Sequence, residues 1–343
     1  MKGLWKYISP FAPDQSGAAA VLYGLGGIVV ICDAGGCAGN ICGFDEPRWF
    51  SGKKSAVFSA GLRDMDAILG RDDRLIDKLC DAAQTIDASF AAIIGTPVPS
   101  VIGTDYRALR RMAEKKLDMP ILTIDTTGME WYDKGIEKTY MALLQQFAHH
   151  HDKAERDTVG VLGAVPLDLM HADGTETICQ ELVEDGWQQI LLYDDLDDFV
   201  HAGKADMNIV VSPAGLKAAQ YLQKTLGTPY EMRYFGLSHV VPDNSIFAGK
   251  NILIVHQDVA ARAMRSMAEE AGAAYVTTAT WFMTAKTEQD TGHISLREED
   301  DFRKLADNND FDMILGDAYF KRALPHFHGL YVDFPHFAVS GRG

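Results

Sequence analysis

Cys32, Cys37 and Cys42 recur every five residues through the glycine-rich stretch 32–42, which directly follows the apolar run Ile28-Val29-Val30-Ile31. Thiolates are soft donors, and an irregular turn at the carboxyl end of a buried strand is where open α/β sheets present ligands. Gly35, Gly36 and Gly39 lack a Cβ and tolerate positive φ, so the backbone can close on an inorganic core. Tetrahedral structural zinc favours close cysteine pairs, which this spacing lacks. The competing reading is that a cysteine at a strand end is a small apolar core residue.

Other segments carry chemistry near this one. In 43–49, Arg48 can fork onto a substrate carboxylate while Asp45 or Glu46 donates protons; equally, the two acids can cap the next element and pair with Arg48. The turn 95–105 follows an apolar run and opens a helix, so Thr96 and its neighbours face the same strand-end crevice. Thr126 and Thr127 either reach that cleft or cap a helix. Near the end, His336 and Arg342 fall in a loop after the last apolar run, where a histidine can shuttle protons or serve structure. The triplet His149-His150-His151 reads as a solvated helix end. Gly24-x-Gly26-Gly27 precedes its strand and no phosphate-loop lysine follows, so no nucleotide site is expected in this chain.

These residues need elements to hold them. Short β-branched runs at 27–31, 55–59, 91–95, 121–124, 158–162, 189–192, 207–211, 251–255, 274–278, 313–315 and 330–332 alternate with stretches of helical apolar spacing. That alternation signals βαβ units and parallel sheets. Polar breaks at 149–156 and 241–244 divide the chain into three units, 1–152, 153–245 and 246–343, with a cleft between them. With 343 residues, 47% of them hydrophobic, the chain can bury several cores. Forty-eight acidic against 32 basic side chains give a net charge of −16, which argues against a nucleic-acid or anionic-membrane surface. Cys80 and Cys179 lie in amphipathic stretches as ordinary core thiols, so no disulfide framework is expected. No secretory segment opens the sequence, and a cytoplasmic location follows.

Taken in order, Gly24-Leu25-Gly26-Gly27, Gly35-Gly36-Cys37, the stretch 58–70 and the stretch 94–105 resemble nitrogenase component 1, and Asp333-Phe334-Pro335-His336 extends the likeness to the end. The resemblance implies three Rossmann-like domains and a dimer of like subunits. It also implies an iron–sulfur cluster at the subunit interface and electrons delivered by a separate ATP-hydrolysing iron–sulfur protein. Cys37 falls where the family places a cluster ligand. Two departures stand out: segment 9–18 lacks the upstream cysteine, and none lies near Thr96. A single [4Fe-4S] cluster is therefore expected in place of an eight-iron one, with Cys32 and Cys42 as helpers and Asp33 or a partner residue completing the set.

The expected function is the catalytic subunit of a nitrogenase-like, ATP-driven reductase. Its cluster would sit on Cys37, with Gly35, Gly36, Gly39 and Thr96 around it, and its small-molecule substrate between the domains. Asp45, Glu46, Arg48 and His336 would serve the reaction. A non-enzymatic scaffold for cluster or cofactor assembly, and a metal-free small-ligand binding protein, are the alternatives.

Overall fold

Parallel strands buried on both faces must be apolar throughout, and that is how the runs of this chain fold. A computed structural model describes residues 5–41, 55–63, 66, 70–150, 157–285, 292–307 and 310–341. The first sheet joins β1 (Ile28–Ile31), β2 (Ala56–Ser59), β3 (Ala91–Ile94) and β4 (Ile121–Ile124) in the order β2-β1-β3-β4. The second repeats that plan with β5 (Thr158–Leu162), β6 (Gln189–Leu191), β7 (Met207–Val210) and β8 (Tyr230–Met232), ordered β6-β5-β7-β8. The third takes the order β11-β10-β9-β12-β13. It comprises β9 (Asn251–Val255), β10 (Tyr275–Thr280), β11 (His293–Ser295), β12 (Met313–Gly316) and β13 (Leu330–Asp333). Every strand pair is parallel. The α/β class is as expected, and each of the eleven apolar runs contains a strand.

The sequence reading omits β8 and β11. Both are three-residue edge strands, too short and too polar to show a period. The stretch 17–32 resolves into the helix Asp14–Leu22, a 3-10 turn closed by Gly26 at φ 75°, and β1. No described helix is long and apolar enough to cross a membrane.

In each sheet the strand order reverses beside its first strand: between β1 and β3, β5 and β7, and β9 and β12. Crevices at such switch points are where doubly wound sheets hold ligands.

The first unit is closed by a tight helix crossing and tied to the third by side-chain contacts. The helices Asp14–Leu22 and Tyr132–Phe147 cross backbone to backbone at two glycines. A Cβ on Gly135 would land on the Asp14 carbonyl, and one on Gly17 on the Tyr132 carbonyl. Gly135→Ala must push the helices apart and is expected to destabilise the protein by about 3 kcal/mol, measured by chemical denaturation. A change below roughly 0.5 kcal/mol, the level of ordinary surface substitutions, would show that this crossing is slack. The amino-terminal segment is held to the third unit by Glu299, whose buried Oε2 accepts from the N–H groups of Lys6, Tyr7 and Ile8 at 3.1, 2.8 and 2.8 Å. Phe11 packs there against Trp131, Trp281 and Phe282, with ring centroids 5.4, 5.5 and 4.8 Å away.

Candidate functional site

At the β1/β3 switch point the chain leaves β1 through Cys32 and Asp33, turns at Gly35 (φ 118°) and enters the short helix Gly36–Asn40. Asp33 braces the turn: its buried carboxylate accepts from Ala38 N at 2.8 Å and from Ser59 Oγ at 2.5 Å. Cys37, the second residue of this helix, is half-buried. Among the described residues, none would come within 4 Å of a Cβ built on Gly35, Gly36 or Gly39. Partial burial, with Asp33 nearby, raises the Cys37 thiol above its usual range.

Cys32 is a different case. It is 1% exposed among Ile28, Val30, Leu75 and Leu79, and burial, aided by Asp72 and Asp33, pushes its thiol up to about 12. Expected as a helper ligand, Cys32 is a core residue, because an inorganic centre reaches its sulfur only by displacing that packing. Thr96, expected to touch a cofactor, is fully buried and donates through Oγ1 to Cys32 O at 2.8 Å, stitching β3 to β1. Asp33, suggested to complete the ligand set, has both oxygens engaged. Thr126 donates to Gly95 O at 2.7 Å, while Thr127 Oγ1 accepts from Met129 N at 3.2 Å. Both threonines shape a turn whose N–H groups at Thr127 and Gly128 are gripped by Asp14. Cys42, Asp45, Glu46, Arg48 and Arg342 lie outside the described residues.

The β5/β7 and β9/β12 switch points face each other, and Tyr132 of the first unit reaches Asp168 and His336 beside them. Tyr132 Oη donates to Asp168 Oδ1 at 2.6 Å, and Ser212 Oγ donates to Asp168 Oδ2. His336 Nε2 lies 2.9 Å from Tyr132 Oη. Because the tyrosine proton already points at Asp168, the imidazole must carry its proton on Nε2 and donate. Nδ1 of His336 is left buried without a partner. His336 stacks on His256 at 4.4 Å, and His256 in turn on Phe334 at 4.2 Å. His256 accepts from Gln257 N at Nδ1 and donates from Nε2 to Pro335 O. That pattern fixes a neutral imidazole, and burial, together with His336, holds its pKa well below the usual range. Asp317 anchors the other side, accepting from His336 N at 3.0 Å and Ser340 Oγ at 2.7 Å.

His336 therefore falls after the final strand, as expected, but is fully buried and belongs to a network that ties the three units together. The sequence reading misses Tyr132, Asp168, Ser212, His256 and Asp317. The available signal was positional: Ser212, His256 and Asp317 are the first polar residues after an apolar strand.

Asp133, beside Tyr132, accepts from its neighbour Lys134 N at 2.8 Å and, across the junction of the first and third units, from Met283 N at 2.6 Å. Burial, with a contribution from Asp168, pushes its carboxyl up to about 7. The folded protein thus keeps a proton that the unfolded chain releases near pH 4. This group's contribution to stability accordingly falls as pH rises from about 4 to 7. Asp133→Asn removes that titration, so denaturation across this range should show the variant gaining on the wild type as pH rises. A pH-independent difference would contradict the assignment.

Beside the network, a cavity of about 360 Å³ opens between the second and third sheets, with Tyr234 and Pro335 in its wall. Tyr234 is nearly buried, and burial raises its hydroxyl above its usual range.

The family model for nitrogenase component 1 type oxidoreductases matches residues 14–241. The chain belongs to this family. Among solved structures, nitrogenase Cp1 at pH 6.5 is similar in fold, with a TM-score of 0.72 at 12% identity, over 97% of this chain and 87% of its own. Nitrogenase Cp1 at pH 5 aligns with a TM-score of 0.74 at 14% identity, over 100% and 86%. No curated protein matches the sequence. Proteins of the nitrogenase component 1 family generally bind metal–sulfur clusters. Among the described residues of this member, no three His, Cys, Asp or Glu side chains gather as a metal site. The glycine-lined loop and the half-buried Cys37 leave room for one edge of a cluster, whose other donors would have to come from elsewhere.

Proposed function

We propose that this chain is the catalytic subunit of a nitrogenase-like, ATP-dependent reductase, and that Cys37 holds one edge of an iron–sulfur cluster shared with a second subunit. The reading is carried by one observation: in a member of this family, the loop at the β1/β3 switch point holds the half-buried Cys37 beside Gly35, Gly36 and Gly39, where no described residue would meet an added Cβ within 4 Å. Cys42, five residues further along the sequence, would be a second donor. The same sheet edge carries exposed apolar side chains, Val98, Val101 and Ile102 after β3 and Met129 after β4, with Val101 86% and Met129 83% exposed. Such surface suits burial against a like subunit. A bound [4Fe-4S] cluster supplies one-electron chemistry at low potential. Gly35, Gly36 and Gly39 leave room for it, and Asp33 fixes the loop from behind.

Substrate is held between the units, beside the Tyr132–Asp168–Ser212–His336 network. This network positions the walls and places a proton on His336 Nε2. ATP hydrolysis belongs to the partner iron–sulfur protein. The protein is located in the cytoplasm, where its thiols stay reduced.

The test is anaerobic mixing with the reductase component purified from the same cells. Reduction of the iron centre only when MgATP is present supports the reading. ATP-independent passage of iron and sulfide to an acceptor apoprotein, with no reduction, would instead establish an assembly scaffold.

A further inference from the structure

The cavity between the second and third sheets carries information on its ligand that the iron chemistry does not. Its inner wall is apolar, built from Leu169, Ile178, Val211 and Phe235. Tyr234 joins that wall at 7% exposure, and its hydroxyl, beside the Met170 N–H but outside hydrogen-bonding geometry, has no partner. A buried hydroxyl so placed can give a hydrogen bond to a ligand atom in the cavity. Three exposed acidic residues also line the cavity, Asp173, Glu176 and Asp333, the last accepting from Ala318 N at 2.8 Å, and they mark its solvent side.

Among the described residues no lysine or arginine lines the cavity, and the basic side chains there are the exposed imidazoles of His171 and His239. Arg233, adjacent to Tyr234 in the chain, is engaged elsewhere. It pairs with Asp185 and with Glu181 at 3.6 Å, and its guanidinium lies 4.5 Å over the Phe235 ring. Recognition of carboxylates or phosphates calls for a fixed cation, most often a forked arginine, and this wall has none. Like charge at the mouth also repels anions.

We propose that this cavity binds a small organic cation, an ammonium group on an apolar body, with the body against the inner wall and the charge at the acidic mouth. Its volume lies at the small end of the range for ligand pockets, which admits a compact aromatic or branched amine and excludes large macrocycles. The inference does not depend on the reductase reading, because binding can be measured on the resting protein whether or not iron is present.

The experiment is isothermal titration calorimetry of the whole protein with three probes of one shape: phenethylammonium, 2-phenylethanol and 3-phenylpropionate. Phenethylammonium is expected to bind at least roughly tenfold more tightly than 3-phenylpropionate, with the alcohol between them. The double variant Asp173→Asn/Glu176→Gln changes two exposed side chains and should fold normally, as circular dichroism would verify. It should weaken the ammonium probe by about tenfold and leave the alcohol unchanged. Equal or tighter binding of the carboxylate, no binding of any probe, or an ammonium affinity indifferent to the double variant would each overturn the proposal.

Discussion

Asp168→Ala is expected to cost about 3–5 kcal/mol of folding stability, a large share of what a domain has. The carboxylate is 1% exposed and takes the hydroxyl protons of both Tyr132 and Ser212. Its removal leaves two buried donors facing a cavity, and the Tyr132 hydroxyl that receives His336 Nε2–H loses the partner that oriented it. Tyr132 comes from the first unit, Ser212 from the second and His336 from the third, so one substitution loosens three units together. Asp168→Asn keeps the volume and one acceptor, and should cost less, about 1–3 kcal/mol, because one hydroxyl can turn to accept from the new amide. Urea denaturation of the two variants decides the matter. Asp168→Ala within about 0.5 kcal/mol of wild type, the range of a neutral surface change, would mean that the network does not carry the junction.

What the sequence revealed, and what it hid, follows from how each feature is encoded. Buried parallel strands are written as unbroken apolar runs, so Ile28-Val29-Val30-Ile31 or Asn251-Ile252-Leu253-Ile254-Val255 announce themselves locally. Edge strands such as Tyr230-Glu231-Met232 carry no such run, and pairing with a neighbour alone makes them strands. The Cys37 loop was legible for a similar reason: its glycines and cysteines are contiguous, and its position after β1 is a local fact. Side-chain depth was not. Cys32 and Cys37 are alike in the sequence, yet one continues the inward face of β1 while the other sits beyond the Gly35 turn. Only the packing of Leu75 and Leu79 onto the sheet separates them.

The polar network was illegible as a network because its members are up to 204 residues apart, the separation of Tyr132 from His336. Each is an ordinary strand-end or helix-start residue taken alone. His336 was picked out as a proton carrier because of its loop, but nothing in the loop shows that Tyr132 and His256 cover it.

Cys37→Ser should have the largest effect on cofactor content. If the cluster is gripped at one edge by this loop, replacing the accessible thiolate with a hydroxyl removes a strong soft ligand that the buried Cys32 cannot replace. Cys80→Ser is the control, since Cys80 lies on the helix Asp72–Thr85, away from the loop. Cys32→Ser should destabilise the core and lose iron only as far as the fold is lost, and a thermal melt separates the two effects. The most direct measurement is iron and acid-labile sulfide per chain in protein isolated without oxygen, for wild type and Cys37→Ser side by side. The account predicts matched iron and sulfide with visible charge-transfer absorption in the wild type and near-complete loss of both in a folded Cys37→Ser protein. Iron retained in full by that variant, or absent from the wild type even after anaerobic reconstitution, would contradict it.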